Sequence, residues 1–373
     1  MTEKARPTVL LTTGRVPPAV DLARSFAANG WRVVVADPLP VHLAATSRSV
    51  AKRIRVPAPA HNADGFAIAI RRIVHDESVR LIVPVSEETL WVTRLAPTLP
   101  DTVTVFAPEF ETALALHAKG SFINVAQSLG LTVPETAMNQ DAANSLGATS
   151  DIVIKPNRGI GGADLQFVDQ GQAFALPSAA VAQKRIFGEE VSACAIAHHG
   201  QLAALGIYAG VVRQGRSAVA FRRIESEAVT AWVAAFVELT NHHGLVSFDF
   251  IVDASGQAYA IECNPRATSG LHFIALNDIA IAITDGDVAK PRDADYQQEF
   301  WSCWTEWFAR LRQPIARKQA AHALRHARDI SWSWRDPMVF WLATMSCAPT
   351  LWRAARQRRS FAEVITQDFE WHS

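Results

Sequence analysis

The twenty residues 247–266, SFDFIVDASGQAYAIECNPR, constrain this chain more than any other stretch. Phe248, Phe250 and Val252 alternate with Asp249 and Ile251. A turn over Asp253, Ala254, Ser255 and Gly256 follows, then a return strand over 259–264, so the pattern predicts a β-hairpin. Side chains of paired strands alternate between two faces, which brings Asp249 and Glu262 side by side with Asn264 two residues further along the same face. Two carboxylates and an amide oxygen are hard ligands of the kind magnesium takes, in a site that leaves room for phosphates. The plainer alternative is a hairpin carrying solvated polar residues. Against it, the acids sit among apolar neighbours and run into Asn264, Pro265 and Arg266.

A second segment supplies a place for a nucleotide. Residues 151–156 read as a buried strand ending at Lys155, and a loop over 157–164 contains Gly159, Gly161 and Gly162 before another strand at 165–168. Glycines let backbone amides approach phosphate oxygens, and Lys155 adds a point charge. The loop lacks a Gly-Lys-Ser/Thr ending and lies between two strands, so it is neither a P-loop nor a dinucleotide fingerprint. Residues 182–192 read as a strand, a turn and the start of another strand. Their backbone is suited to an adenine edge, and Glu190 to a ribose hydroxyl.

Together these segments resemble the ATP-grasp superfamily, including its biotin carboxylase and carbamoyl-phosphate synthetase branches, over roughly residues 7–285. Four separated motifs stand in the family's order. Lys119, ahead of a predicted helix at 121–129, and Lys155 match the two ATP-contacting lysines. Gly159, Gly161 and Gly162 match the loop that closes over the phosphates. Gln183, Lys184 and Ile186 fall in the adenine hinge, and Glu190 at the ribose position. Asp249, Glu262 and Asn264 match the metal trio, and Arg266 the arginine that faces the reacting carboxylate or its phosphorylated form. The resemblance implies an α/β, partly α+β, ATP-grasp fold. Its parts are an N-terminal Rossmann-like domain (1–117), a lid with the glycine loop (118–187), a metal-binding subdomain (188–294) and a Trp-rich, mostly helical C-terminal appendage (295–373). It also implies ATP and Mg2+ (with Mn2+ as a substitute), and a ligase that activates a carboxylate as an acyl phosphate and joins it to an amine, releasing ADP and phosphate. Lys155 and Arg266 are the expected catalytic residues. Two other outcomes stay open: an enzyme that stops at the phosphorylated product, and an ATP-binding protein without catalysis.

Composition is compatible with this. A 373-residue chain with 49% hydrophobic residues buries enough core for two or three domains. A strand at 9–12, a helix at 19–29 and a strand at 32–36 make a βαβ opening. Asp37 after the second strand invites a dinucleotide reading, but the loop after the first strand has one glycine and two prolines where that fingerprint needs several free amides. Ser86 and Glu87, after a strand at 80–83, fit a substrate contact or a helix start equally well. No charged and apolar leader opens the sequence, and Cys194, Cys263, Cys303 and Cys347 form no CxxC pair, which suits reduced thiols in the cytoplasm.

Cations cluster at Arg213, Arg216, Arg222 and Arg223; one of Arg213, Arg222 and Arg223 suits a substrate carboxylate or a polyphosphate, and solvated strand ends look the same. His242 and His243 read as structural, at a helix end where a cation is favourable, and His272 as a base in the acceptor pocket. From Trp301 onward the chain carries eight of its eleven tryptophans and eleven Lys/Arg against six Asp/Glu. The uncharged run 337–352, broken by Pro349 and followed by Arg353, Arg356, Arg358 and Arg359, is short for a membrane span. A helical appendage packed on the main body or on a second subunit of a homodimer is favoured over peripheral lipid contact. With zero net charge and no broad basic domain, nucleic acid is not an expected partner.

Overall fold

The computed structural model describes residues 6–158, 165–215, 217–358 and 361–371. Gly159, Gly161 and Gly162, with Arg216 and Arg359, lie outside the described residues. The chain opens with β1 (Thr8–Leu11), α1 (Pro18–Ala28), β2 (Arg32–Asp37), β3 (Val50–Arg55), α2 (Ala63–Asp76), β4 (Val79–Val83), α3 (Thr89–Leu95), β5 (Thr104–Val105) and α4 (Phe110–His117). The strands form a parallel sheet in the order β3-β2-β1-β4-β5, the expected doubly covered arrangement. Leu10, Val34 and Ile82 pack against Phe66, Ile70 and Ile73 of α2. On the other side, Val9, Leu11 and Val33 share a core with Leu22 and Phe26 of α1. That core continues into the third part of the molecule.

The next part contains α5 (Lys119–Ser128), β6 (Thr136–Ala137), α6 (Gln140–Thr149), β7 (Ile152–Pro156), β8 (Gln166–Val168) and β9 (Ala180–Lys184). Its antiparallel sheet, in the order β6-β9-β7-β8, closes over a small core of its own, among them Leu146, Ile152, Ile154 and Val168. A part with a separate core can move without breaking the larger ones.

The third part begins with β10 (Gly188–His198), β11 (Gln201–Gln214), β12 (Ser217–Arg223), α7 (Glu227–Leu239), β13 (Gly244–Asp253), β14 (Ala258–Asn264) and α8 (Leu276–Thr284). Val229, Trp232, Val233 and Phe236 of α7 bury Phe248 and Phe250 of β13 together with Phe122 of α5. Alternation therefore commits the aromatic face of β13 to the core and turns Asp249 to the other side.

The C-terminal region contains β15 (Tyr296–Gln298), α9 (Phe300–Ala309), α10 (Pro314–His326), β16 (Arg328–Asp329), α11 (Met338–Gln357) and α12 (Phe361–Thr366), with β14 the last strand before it. It is mostly helical, yet β15 pairs with β12 and β16 with β15. The large sheet thus runs β14-β13-β10-β11-β12-β15-β16. The chain end then returns to the N-terminal sheet: Arg15 joins Asp37 at 2.7 Å and Asp368 at 2.8 Å, and Trp91 Nε1 donates to Phe369 O at 2.9 Å. Asp37 also accepts from Gly14 N and Leu39 N, a structural role that leaves it no part in ribose binding. Of the tail's tryptophans, Trp371 lies against Trp91, whereas Trp334, Trp341 and Trp352 are exposed.

Candidate active site

β13 and β14 form the expected hairpin, with Asp249 opposite Glu262 and Ser247 opposite Asn264. Asp253 Oδ1 closes the turn by accepting from Ser255 N and Gln257 N. The register slips after Asp249, because Phe250 faces Ala260, and Ile261 becomes the extra residue of a β-bulge. The released Ile261 carbonyl accepts from Lys155 Nζ at 2.8 Å. The bulge thereby joins Lys155 of β7 to the acidic hairpin.

The charges in this cleft are crowded. Burial and then the charge of Glu262 push Asp249 up to about 6, although Ser192 Oγ donates to Asp249 Oδ1 at 2.6 Å. Lys119 Nζ lies 3.3 Å from Glu262 Oε2. Lys155 Nζ also donates to Gln183 Oε1 at 2.8 Å, and Gln183 Nε2 donates to Thr136 Oγ1 at 3.0 Å. Burial, with the charge of Lys119, brings Lys155 down to about 8 against the pull of Glu262 and Asp249. Lys119 is the first residue of α5. Its backbone N donates to Asn157 O at 2.9 Å, and Gly120 N to Asn157 Oδ1 at 2.8 Å, which ties the start of α5 to the end of β7.

Arg266 stands at the N-terminal side of the cleft. It donates from Nε to Glu87 Oε1 at 2.6 Å, from Nη2 to Asn264 Oδ1 at 3.2 Å and from Nη1 to Ala267 O at 3.2 Å. Burial opposes ionisation of Glu87, but Arg266, His117 and Lys119 hold its carboxyl below the ordinary value. His117 Nδ1 is 3.8 Å from Glu87 Oε2. Ser192, His117 and the bulged Ile261 were not legible as site residues in the sequence. Of the two readings of Ser86 and Glu87, the structure gives Glu87 to Arg266, while Glu88 takes the loop-closing role by accepting from Val85 N and Ser86 N.

The remaining candidates lie around this centre. Gln183 is buried in β9, Lys184 is exposed with its backbone N on Glu135 O at 2.8 Å, and Ile186 is half-buried between β9 and β10. Glu190 is paired with Arg213 at 2.9 Å, Arg222 with Glu189 at 3.2 Å and Arg223 with Asp295 at 3.3 Å. The placement of His272 is corrected: it is 1% exposed, with Nδ1 2.8 Å from Asp21 Oδ2, because the 269–273 turn folds into the core beside α1 and not into the cleft. His242 and His243 lie past the end of their helix and carry no charge there. α7 stops at Leu239, and burial brings both rings down to about 4, so they are neutral at pH 7.

The donor set fits a hard divalent cation and a polyphosphate. Two carboxylates repel each other across one strand pair beside two buried lysines, and added positive charge at Asp249 and Glu262 relieves that repulsion.

The family described as ATP-grasp domain matches residues 118–270. Among solved structures, the chain resembles the biotin carboxylase domain dimer of 2-oxoglutarate carboxylase from Hydrogenobacter thermophilus, in complex with MgADP, ADP and bicarbonate. The two share 14% identity at a TM-score of 0.60, covering 76% of this chain and 71% of that one. N5-carboxyaminoimidazole synthetase from Staphylococcus aureus gives 15% identity and a TM-score of 0.58 over 77% of this chain and 80% of that one. L-amino acid ligase from Bacillus licheniformis gives 15% and 0.56 over 78% and 76%. No curated protein sequence matches the chain. At such identities the structural likeness speaks for the fold, and the matched stretch 118–270 includes Lys119, Lys155, Asp249, Glu262 and Arg266.

Proposed function

From the ATP-grasp domain that this chain carries over residues 118–270, we propose an ATP- and Mg2+-dependent ligase that phosphorylates a small carboxylate and condenses it with an amine or similar nucleophile, releasing ADP and phosphate. One observation carries the reading. Lys119, Lys155, Asp249, Glu262 and Arg266, drawn from positions 147 residues apart, meet through direct contacts and shared charge in one cleft. The solved neighbours include an enzyme complexed with MgADP and an amino acid ligase, which supports both the nucleotide and the reaction class.

In this reading Asp249, Glu262 and Asn264 hold the magnesium ion, which when bound neutralises charge on the phosphates. Lys155 and Lys119 orient the transferred phosphoryl group, and positioning with charge neutralisation does the catalytic work without a covalent protein intermediate. Gln183, Lys184 and Ile186 supply the adenine-side wall, Glu190 the ribose contact, and Gly159, Gly161 and Gly162 the loop over the phosphates. Arg266, held by Glu87, presents its guanidinium to the carboxylate and to the acyl phosphate formed from it. Closure of the lid excludes water, which otherwise hydrolyses the acyl phosphate. The assembly is proposed to act in the cytoplasm on small molecules, with a dimeric neighbour as support for a homodimer.

The test is turnover by purified protein with ATP, Mg2+ and pooled carboxylates, amino acids and amines, read as ADP and phosphate release with mass spectrometry of products. The proposal predicts release that needs one acid and one nucleophile and yields a condensed mass. A stable phosphorylated product without condensation selects a kinase-like enzyme instead.

A further inference from the structure

A second set of ligand atoms lies away from the nucleotide cleft, where β10 turns into β11. His198 ends β10, His199 and Gly200 form the two-residue turn, and β11 starts at Gln201, with His198 paired to Gln201. Gly244 of β13 pairs with Ala197 of β10, and Gly200 N donates to His242 O at 2.9 Å, so the preceding His243 stands beside the turn. The rings of His199 and His243 stack at 4.0 Å, and His198 meets His199 at 4.8 Å and His243 at 5.2 Å edge to face. One ring nitrogen from each lies within 4.8 Å of those of the other two.

Two independent features mark this as more than crowding. His199 has φ of 48° and Gly200 of 80°, the backbone of a tight hairpin turn whose first position is ordinarily Asn, Asp or Gly. A residue other than glycine is uncommon in this left-handed conformation, and histidine is among the types that enter it, so the turn holds the His199 ring at a fixed place beside His198. In addition, His243 Nδ1 is buried and has no hydrogen-bond partner among the described residues. A buried, unpaired imidazole nitrogen calls for an explanation, and a bound ion is one.

We propose that His198, His199 and His243 form a binding site for a borderline divalent transition metal, with zinc as the reference ion. Imidazole nitrogens suit Zn2+, Ni2+, Cu2+ and Co2+, and the set contains no hard oxygen, which separates it from the magnesium site at Asp249 and Glu262. Tetrahedral ligation with zinc–nitrogen distances of about 2.0–2.1 Å puts ligand nitrogens about 3.3 Å apart, so binding draws the nitrogens together and unstacks the parallel rings of His199 and His243 until their lone pairs converge. All three rings line a cleft of about 700 Å³ that also includes Thr8, Arg80 and Phe106, which leaves an open coordination position facing solvent and room for an anionic co-ligand. The site brackets β10 and β13, the same two strands that carry Ser192 and Asp249 toward the cleft, so metal there stiffens their ends.

The test uses the untagged full chain freed of metal by chelation. Zinc chloride is titrated by calorimetry, and Co2+ is followed by its d–d absorption, which reports nitrogen ligation directly. His199→Asn keeps a residue that tolerates the left-handed turn, and His243→Gln removes the second ligand. Loss of an outer partner of a metal ligand already weakens binding by about 10–100-fold, so loss of a ligand predicts at least about a tenfold loss in each variant. One zinc per chain, an intense tetrahedral Co2+ spectrum and this loss in both variants, with Glu262→Gln unaffected, support the site. Overturning results are the absence of a cobalt spectrum in the wild type, unchanged binding in both variants, or loss of zinc only in Glu262→Gln.

Discussion

Asp249 shows how a single side chain reports on the whole site. Its folded pKa is raised from 3.8 to about 6 by burial and by Glu262, so the folded state binds the proton more tightly than the unfolded chain does. The resulting penalty is absent below the unfolded value, grows as pH rises through that window and is complete above about 6. Asp249→Asn is therefore expected to stabilise the magnesium-free protein by about 1–2 kcal/mol at pH 7, and not at pH 3.5, while removing Mg2+-dependent turnover. Denaturant titration at both pH values beside the ADP assay checks this; equal stability at pH 7 contradicts the like-charge account. Glu262→Gln should abolish turnover with an unchanged circular dichroism spectrum, and near-normal activity sinks the metal assignment. At this scale the hairpin acids were legible because strand alternation fixes neighbours two residues apart. Glu87 was legible only as a candidate contact and not as the partner of Arg266, which is 179 positions away with no local pattern to join them, and His117, which faces Glu87, gave no signal.

Between residue and molecule, the elements that aim the site are a bulge and a close approach. The bulge at Ile261 turns one carbonyl toward Lys155, and Gly206 of β11 lets the 269–273 turn press down beside Arg266. A Cβ at Gly206 meets Gly270 O at 2.1 Å, and backbone cannot yield as a side chain does. Gly206→Ala is expected to cost about 1–3 kcal/mol and to reduce turnover by displacing Arg266. Thermal melts with kinetics test it, and a variant with wild-type stability contradicts the packing. Strands at 8–11, 32–37 and 79–83 emerged within a residue or so of expectation because apolar runs specify buried parallel strands. β15 and β16 escaped notice. Strands of three and two residues have no period to read: β15 exists through pairing with β12, and β16 through pairing with β15.

Across the whole molecule, the chain end is part of the fold. Arg15, buried between Asp37 and Asp368, links the first sheet to the last residues, and Arg24 meets Asp336 at 3.2 Å. Removing one partner of a buried ion network leaves uncompensated charge, so Asp368→Ala is expected to lower stability by about 3–5 kcal/mol, measurable by urea unfolding. The basic, Trp-rich composition sets the end of the sequence apart, but composition carries no information on which surface receives it. No helix among the described residues is long and apolar enough to cross a membrane. The central claim is that Lys119, Lys155 and the acids of the hairpin form one magnesium–nucleotide site. Calorimetric titration of ATP into the full chain, with and without Mg2+, tests it most directly in the wild type, Lys155→Met and Glu262→Gln. The account predicts one Mg2+-dependent site, ATP affinity lowered at least about tenfold in Lys155→Met, and loss of the Mg2+ dependence in Glu262→Gln. ATP that fails to bind the wild type, or that binds all three proteins alike, contradicts it.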